Sequence, residues 1–215
     1  PLHISVVPSF AAKWLLPRMS RFRERHPDID IMVSANNNLV DFAEGTFEMG
    51  IRYGAGNYPD LQTDLLLGDE VFPVCSPKLL NGPHPLKRPE DLRHHTLLHD
   101  EVSRHDESPD WRNWLKAAGI DDIDAQRGPG FSDSSMVIEA AAAGQGVALG
   151  HRWLAAADLE SGRIVTPFGP AIPSKFNYYV VSPPAVTERR RVRLFRDWLH
   201  EEAERTGADP VPLSS

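Results

Sequence analysis

The hydrophobic positions along the chain recur with two different periods, which predict strands followed by helices. Leu2, Ile4 and Val6 alternate with polar residues, and this period of two predicts a strand. From Ser9 to Pro27, apolar residues recur every three or four positions, as they do on an amphipathic helix. Strands separated by helices need right-handed crossovers, so the pattern predicts a largely parallel sheet that is covered on both faces.

The rest of the chain repeats this order less regularly. Further strands are predicted at residues 29–33, 47–53, 61–67, 70–75, 96–99, 126–131, 146–150, 164–166 and 176–181. Helices are predicted at residues 39–44, 111–118, 132–144, 153–159 and 188–204. Prolines break residues 76–92 into short turns, and the tail after Thr206 is expected to fray.

Length and composition narrow the class of protein. The chain has 215 residues, of which 41% are hydrophobic, enough for one large α/β domain or two small lobes. Its formal net charge of −7 argues against binding to nucleic-acid phosphates, because that affinity comes from clustered cations. The single cysteine, Cys75, excludes an internal disulfide framework and predicts a cytoplasmic origin. No apolar run approaches the ~20 residues of a membrane span, and no signal peptide pattern is present.

Two segments lie where a predicted strand passes into a predicted helix, Pro8-Ser9-Phe10 and Ser132-Asp133-Ser134-Ser135. Helix N-termini expose unpaired N–H groups and a partial positive charge. If the two segments faced each other across a cleft, they would hold a carboxylate, a phosphate or another polar group. Each segment is equally well explained as an ordinary helix cap, and the sequence leaves both interpretations open.

Two further segments are candidates for a ligand site. Asn36-Asn37-Asn38 follows the second predicted strand, where ligand loops of open α/β sheets occur, but a solvated turn explains it as well. Arg52 ends the third predicted strand and could pair with an anionic ligand or with a neighbouring acid. Of these two roles for Arg52, the structural one is favoured.

Motifs of catalysis, metal binding and nucleic-acid binding are weak or absent. The sequence has no nucleophile elbow and no Walker loop, and Gly144-Gln145-Gly146 enters a predicted strand rather than leaving one. His95 and His99 have metal-ligand spacing for a helix, but their segment predicts a strand, so we expect solvated or cleft-lining histidines. The run at residues 189–193 shares its helix with acids and predicts a solvated face with i,i+4 pairs. Cys75 is expected to pack as a small hydrophobic residue.

Several segments taken together resemble the effector-binding domain of LysR-type transcriptional regulators. They are Pro8-Ser9-Phe10-Ala11-Ala12, Leu16-Pro17-Arg18, His26-Pro27-Asp28-Ile29-Asp30, Met49-Gly50-Ile51-Arg52-Tyr53-Gly54, Phe72-Pro73-Val74-Cys75-Ser76-Pro77 and Ala140 through Gly150. The resemblance runs from about residue 2 to residue 199. The segment from Arg52 to Gly56 is similar to the branch that holds the glycine-cleavage activator and the β-lactamase regulator.

The resemblance implies an α/β fold of two Rossmann-like lobes joined by two crossover strands, as in type 2 periplasmic binding proteins. Lobe I is expected at residues 1–74 plus 170–205, lobe II at residues 75–169, and a disordered tail at residues 206–215. The family's winged helix-turn-helix domain would precede Pro1, so we expect this chain to be cut from a longer protein and not to bind DNA itself.

The function that the resemblance implies is the sensing of a small-molecule effector in the cleft between the lobes, without chemistry and without a cofactor or metal. The ligand-facing residues that the resemblance implies are Ser9, Phe10, Asn37, Asp41, Phe72, Asp133, Ser134 and Tyr178. The implied partners are the effector, further copies in a homodimer or tetramer, and promoter DNA through the N-terminal domain only. No membrane is implied.

Two rival functions share this fold. One is a free-standing solute-binding protein of a transporter, which would need an export signal. The other is an enzyme of the hydroxymethylbilane synthase or prephenate dehydratase kind. The missing signal peptide pattern and the family-like residues throughout the chain favour the regulator. The residues encoded before Pro1 would distinguish the three, since neither rival predicts a helix-turn-helix there.

Overall fold

The computed structural model describes residues 1–38, 42, 45–101 and 109–207, and these residues divide into two compact units. The first unit comprises Pro1–Gly68 and residues 176–207, and the second comprises Asp69–Lys175. Within the described residues, each unit contains one five-stranded sheet with helices, which confirms the predicted α/β class. The helix predicted at residues 39–44 lies mostly outside the described residues. The predicted lobe boundaries stay a prediction.

The described strands and helices are numbered in chain order. The strands are β1 (Leu2–Val6), β2 (Ile31–Ala35), β3 (Met49–Gly54), β4 (Gln62–Leu67), β5 (Glu70–Val74), β6 (Leu97–Asp100), β7 (Gly130–Phe131), β8 (Val147–His151), β9 (Ile172–Pro173) and β10 (Asn177–Ser182). The helices are α1 (Pro8–Phe10), α2 (Met19–Arg25), α3 (Trp111–Ala117), α4 (Ser134–Ala142), α5 (Arg152–Glu160), α6 (Pro184–Thr187) and α7 (Arg190–Gly207).

The sheet of the first unit has the strand order β2-β1-β3-β10-β4. β1 pairs in parallel with both β2 and β3, as the alternation of strands and helices predicts. β10 runs antiparallel to its neighbours β3 and β4, so the prediction of a largely parallel sheet is wrong for this half of the sheet. β10 follows the whole second unit in the sequence and joins this sheet between β3 and β4.

The sheet of the second unit has the strand order β7-β6-β8-β5-β9. β6 pairs in parallel with β7 and β8, whereas β5 runs antiparallel to both β8 and β9. The strand predicted at residues 126–131 is reduced to β7. Gly128 has a φ of 130°, and Pro129 has no N–H group to donate, although its carbonyl accepts from the N–H of His99 at 3.0 Å, so the regular ladder begins only at Gly130.

The first helical segment is interrupted, although the sequence predicts one continuous helix. α1 is followed by a π-helical turn at Ala11–Leu15, a 3-10 turn at Leu16–Arg18, and then α2. Pro17 is the central residue of the 3-10 turn, two residues after the end of the π-helical turn. Proline has no N–H to donate and its ring clashes with the carbonyl one turn earlier, so the regular helix cannot pass through it.

The segment Gly144-Gln145-Gly146 has a structural role that agrees with its predicted position before a strand. Gly144 follows the end of α4 with a φ of 80°, a conformation that glycine adopts without strain. A Cβ atom on Gly146 would lie 2.3 Å from the carbonyl oxygen of Thr96. Both glycines therefore serve the tight passage from α4 into β8.

Each unit has its own apolar core. In the first unit, Phe22 of α2 packs edge-on against Phe195 and Trp198 of α7, with ring centroids 5.1 and 5.3 Å apart. In the second unit, the buried indole of Trp111 donates to the carbonyl of Leu98 at 2.9 Å. Among the described residues, no helix combines the length and the apolar character that crossing a membrane requires.

Glu202 anchors α7 to α2 in the first unit. It is 1% exposed, accepts a 3.0 Å hydrogen bond from Nε of Arg21, and pairs with Arg205 at 3.1 Å. Its sequence neighbour Glu201 instead forms an exposed ion pair with Arg25. The two adjacent glutamates therefore differ in burial but not in chemical type.

We expect Glu202→Gln to lower the free energy of unfolding by about 2–3 kcal/mol, because the substitution leaves two guanidinium groups without their buried charge partner. Glu201→Gln is the matched control and should cost less than about 1 kcal/mol, as exposed ion pairs do. Urea unfolding of both variants measures the difference. Equal losses for the two variants would contradict the anchoring role.

Candidate functional site

In the first unit, the predicted site residues come to one edge of the sheet. β1, β2 and β3 end at this edge, and β10 begins there, with Asn177 opposite Gly54. Ser9 follows β1, Asn37 follows β2, and Tyr178 is the second residue of β10. Ligands of open α/β sheets bind at the carboxyl ends of strands, so the geometry of this unit suits a ligand site. Asp41 lies outside the described residues.

These side chains differ in exposure. Asn37 is exposed, and Ser9 is buried at the start of the first helical segment. Phe10 and Tyr178 are fully buried, with ring centroids 4.5 Å apart, and Tyr53 lies 4.8 Å from Tyr178. The polar residues thus lie above a packed aromatic layer. That layer fixes the backbone on which Ser9 is carried.

Arg52 ties three strands together at the same edge. Its Nη1 donates to the carbonyl of Asn36 at 2.9 Å, and its Nη2 donates to Oγ of Ser5. Burial lowers the pKa of the guanidinium below its ordinary value. Among the described residues no carboxylate pairs with it, so the neighbouring acid suggested by the sequence is replaced by a carbonyl and a hydroxyl. The structural role is the one observed.

In the second unit, four polar side chains meet at the edge where β6 and β8 end and β5 begins. Oγ of Ser134 donates a hydrogen bond to Oδ2 of Asp100. Nδ1 of His151 lies 2.6 Å from Oδ2 of Asp69, and Nε2 of His151 lies 3.6 Å from Oδ2 of Asp100. We call Asp69, His151, Asp100 and Ser134 the aspartate–histidine cluster. The cluster extends from Asp100, at the end of β6, to Ser134, at the start of α4.

The cluster holds a charged imidazole in a buried place. Burial disfavours the charged form of His151, but the carboxylates of Asp69 and Asp100 outweigh burial and raise the pKa of His151 to about 10. His151 therefore carries a proton on both ring nitrogens at neutral pH. A neutral ring could donate to only one of its two acidic neighbours.

The other predicted residues of the second unit have clear local roles. Asp133 caps α4, since its Oδ1 accepts from the backbone N–H of Ser135 at 2.9 Å, which agrees with the capping interpretation. Phe72 is fully buried in β5, opposite Gly150 of β8. Only Ser134 of the predicted residues in this unit belongs to the aspartate–histidine cluster.

Sequence reasoning did not identify Asp69, Asp100 or His151. Asp100 and His151 each come directly after a predicted apolar strand, and this position is the sequence feature that could have identified them as site residues. Their proximity depends on the strand order β6-β8-β5, and one sequence does not reveal which strands become neighbours. Asp69 precedes β5 at the same edge because β5 runs antiparallel to β8.

The histidine patch and the cysteine have structural roles. Nε2 of His99 lies 3.1 Å from the carbonyl of Arg127, and Nε2 of His95 lies 2.8 Å from the carbonyl of His84. No group of three metal-ligand side chains occurs within the described ranges. Cys75 is buried, which raises the pKa of its thiol to about 12. It packs in the apolar core of the second unit, as the sequence predicts.

The arginine run at the start of α7 pairs with acids of other segments, so the predicted i,i+4 pairing within the helix is wrong for it. Arg189 and Arg191 contact the same carboxylate, Glu48, at 2.9 and 2.8 Å. Arg190 contacts Asp28 at 2.6 Å. The fold brings these acids to the helix from beside β3 and β2. These two carboxylates offset half of the charge of the four arginines at residues 189–193, which argues against a nucleic-acid surface as the sequence does.

One family model and several curated proteins match most of the chain. A family model described as the LysR substrate binding domain matches residues 1–204. The glycine cleavage system transcriptional activator of Escherichia coli (strain K12) is 41% identical over 202 residues, which make up 94% of this chain and 65% of that protein. The HTH-type transcriptional activator AmpR of Rhodobacter capsulatus is 33% identical over 198 residues, with 92% of this chain and 65% of that protein covered. The chain thus spans 65% of the length of these relatives.

Solved structures of effector domains share the fold. The effector domain of the transcriptional regulator AmpR of Pseudomonas aeruginosa has a TM-score of 0.80 and 33% identity, and the match covers 96% of this chain and 97% of that one. The AmpR effector binding domain from Citrobacter freundii has a TM-score of 0.80 and 32% identity, with 95% and 98% covered. These likenesses confirm the predicted periplasmic-binding-protein-like fold and the predicted branch.

The pKa of His151 makes stability depend on pH in a defined direction. A pKa raised in the folded state contributes stability that is fully present below the unfolded value of ~6.5 and is lost as pH rises towards about 10. We expect His151→Gln to lower the free energy of unfolding by about 3 kcal/mol at pH 6, and by progressively less up to pH 9.5. Urea unfolding of both proteins across this range measures the trend.

His95→Gln is the control for this trend. Burial lowers the pKa of His95, so the pH dependence of that variant falls below the ordinary value of ~6.5 rather than above it. A His151→Gln difference that stays constant from pH 6 to pH 9.5 would show that His151 is not charged in the folded protein.

Proposed function

Because the chain belongs to the LysR substrate-binding domain family, we propose that it is the effector-sensing part of a LysR-type transcriptional regulator. In this proposal the chain binds a small polar molecule and performs no chemistry on it. The whole protein contacts promoter DNA through the family's N-terminal winged helix-turn-helix domain, and it acts in the cytoplasm. A free-standing solute-binding protein would share the fold, but the relatives that match this chain are named transcriptional activators and regulators.

The observation that carries the proposal is the set of polar side chains at the strand ends of each unit. Ser9 and Asn37 lie at such an edge in the first unit, and Ser134 lies at one in the second. The hydroxyl of Ser9 and the amide of Asn37 can both donate and accept, so they suit a small polar ligand that carries a carboxylate, whereas the hydroxyl of Ser134 already donates to Asp100. The proposed ligand-facing set remains Ser9, Phe10, Asn37, Asp41, Phe72, Asp133, Ser134 and Tyr178.

The burial of the three aromatic members of this set limits their direct contact with a ligand. Phe10 and Tyr178 lie in the aromatic layer of the first unit, and Phe72 lies inside the second sheet. They support the polar residues by packing, and a ligand reaches them only where the surrounding side chains give way. Ser9, Asn37 and Ser134 carry polar side chains that can hydrogen-bond a ligand, so their substitution tests the proposal most directly.

Ligand signals reach the rest of a regulator through its association with other copies. A ligand changes such an arrangement only by as much as it binds one arrangement better than another, typically ~1–3 kcal/mol. We propose that the chain forms a dimer through the first helical segment and α4. In support, Leu16 and Met136 on these elements are 53% and 50% exposed, although both are large and apolar.

We expect Ser9→Ala and Ser134→Ala each to weaken effector binding by about 0.5–1.5 kcal/mol, the net contribution of one hydrogen bond. Calorimetry with amino acids, short peptides and peptidoglycan fragments identifies the effector and measures the loss. Ser20→Ala is the matched control, because Ser20 is exposed on α2 and lies outside the proposed site. A genuine effector whose affinity is the same in both site variants binds elsewhere on the chain.

We expect the chain to sediment as a dimer at tens of micromolar, and Leu16→Lys or Met136→Lys to shift it towards the monomer. The substitutions place a charge where the proposed interface buries apolar surface. Leu65→Lys is the matched control, since Leu65 is 55% exposed but lies on the edge strand β4, outside the proposed interface. Sedimentation that is unchanged in all three variants would show that these two helices do not form the interface.

A further inference from the structure

The hydroxyl of Ser134 has one hydrogen-bond partner among the described residues, and that partner is Asp100. An ionised carboxylate accepts hydrogen bonds and cannot donate them. The hydroxyl hydrogen of Ser134 must therefore point at Asp100. What remains on Oγ of Ser134 is a pair of acceptor sites and no donor.

His151 is the basic member of the cluster. The imidazole ring lies between two carboxylates, with Nδ1 at 2.6 Å from Asp69 and Nε2 at 3.6 Å from Asp100. A ring that is protonated on both nitrogens presents an N–H group to each carboxylate. Two carboxylates and one imidazolium sum to a net charge of −1, which lies next to Ser134.

We propose that Asp100 and His151 are positioning residues that fix the Ser134 hydroxyl as a hydrogen-bond acceptor, so that the part of the effector that contacts Ser134 is an N–H donor, an ammonium or an amide. This inference rests on the proposed function, because it takes Ser134 to contact the effector.

Among the described residues, the surrounding charges do not cancel the negative charge of the cluster. Their titratable or charged side chains on or beside the elements packed against β8 include Glu70, His99, Glu101, Asp133, Glu139, Arg152, Asp158 and Glu160. Arg152 is paired with Glu70 at 2.8 Å, and Arg163 is shared by Glu139 and Asp158. Asp133 is engaged in capping α4. The net negative charge favours an ammonium over a neutral amide at Ser134.

The proton positions can be tested without any ligand. Long-range proton–nitrogen NMR of the 215-residue chain distinguishes an imidazolium ring from either neutral tautomer. At pH 8.5 a histidine of ordinary pKa, ~6.5, is neutral, so one ring that is still protonated on both nitrogens identifies the cluster without a variant. We expect one such ring, and we expect its signals to shift in Ser134→Ala. If every histidine ring is neutral at pH 8.5, the proposal is wrong.

The ligand preference is tested with matched probes. Each α-amino acid is compared by calorimetry with the acid that lacks its amino group, such as alanine with propionate. For an amino acid that binds, we expect loss of the amino group to weaken binding about three- to tenfold, the equivalent of one hydrogen bond. Ser134→Ala should remove most of this preference, and Ser134→Thr, which keeps the hydroxyl, should restore it.

Asp100→Asn tests the positioning role itself. An asparagine amide can donate to Oγ of Ser134 and release the hydroxyl hydrogen towards the ligand, so the preference for the amino group should shrink or reverse. If this variant does not fold, the pair Ser134→Ala and Ser134→Thr decides instead. If no member of the panel binds, the NMR result still tests the charged ring on which the proposal depends, and neutral rings throughout overturn it.

The outcomes separate this inference from the proposed function. An effector that ignores Ser134→Ala shows that the effector site is elsewhere, while the NMR result on the cluster stands. An effector that is weakened by Ser134→Ala but binds equally well without its amino group overturns the inference and leaves the proposed function intact.

Discussion

The parallel pairing of strands determines where polar side chains collect in each unit. β1 pairs in parallel with β2 and β3, and β6 pairs in parallel with β7 and β8, so in each sheet three strands end at one edge. Beyond that edge the backbone leaves the ladder and its N–H and C=O groups need other partners. Ser9, Asn36 and Ser134 lie at these positions for that reason. The apolar layers below them hold the same backbone rigid.

Buried acids with basic partners connect segments that are distant in the sequence. A buried carboxylate without a partner costs several kcal/mol, so each buried acid needs a base close by. The buried acids and their partners are Glu48 with Arg189 and Arg191, Glu202 with Arg21 and Arg205, Asp158 with Arg163, and Asp69 with His151. Glu202 and Arg205 lie on the same helix, α7, whereas Arg21 reaches Glu202 from α2, so the Arg21–Glu202 pair specifies how two elements meet.

Local signals in the sequence predict much of the fold and part of the site. The alternation at Leu2, Ile4 and Val6 and the cap at Asp133 act over a few residues, and both agree with the structure. The position of the helical segment after Ser9 is predicted, but its π-helical and 3-10 turns are not. The proline at position 17 disrupts the regular helix, and the spacing of apolar residues does not reveal this. His151 was not predicted as a site residue, because its role arises from strand order.

The same distinction explains the arginine run and Arg52. Charge patterns within one helix suggest partners on that helix, yet Arg189 and Arg191 bind Glu48, which lies beside β3. Arg52 pairs with a carbonyl at the end of β2 and a hydroxyl on β1 rather than with any neighbour in sequence. Long side chains reach partners that only the tertiary structure brings near. Sequence reasoning therefore identifies such residues as important without identifying what they touch.

The burial of Cys75 has a practical consequence for chemical labelling. It is the only cysteine of the sequence, it lies in the apolar core of the second unit, and its thiol has a pKa of about 12. The thiolate is the form that reacts with alkylating reagents and oxidants. Because almost none of Cys75 is thiolate at neutral pH, its thiol reacts very slowly in the native chain. A cysteine introduced at an exposed position such as Asn37 would therefore carry a fluorophore or a spin label selectively, with the native thiol left in place.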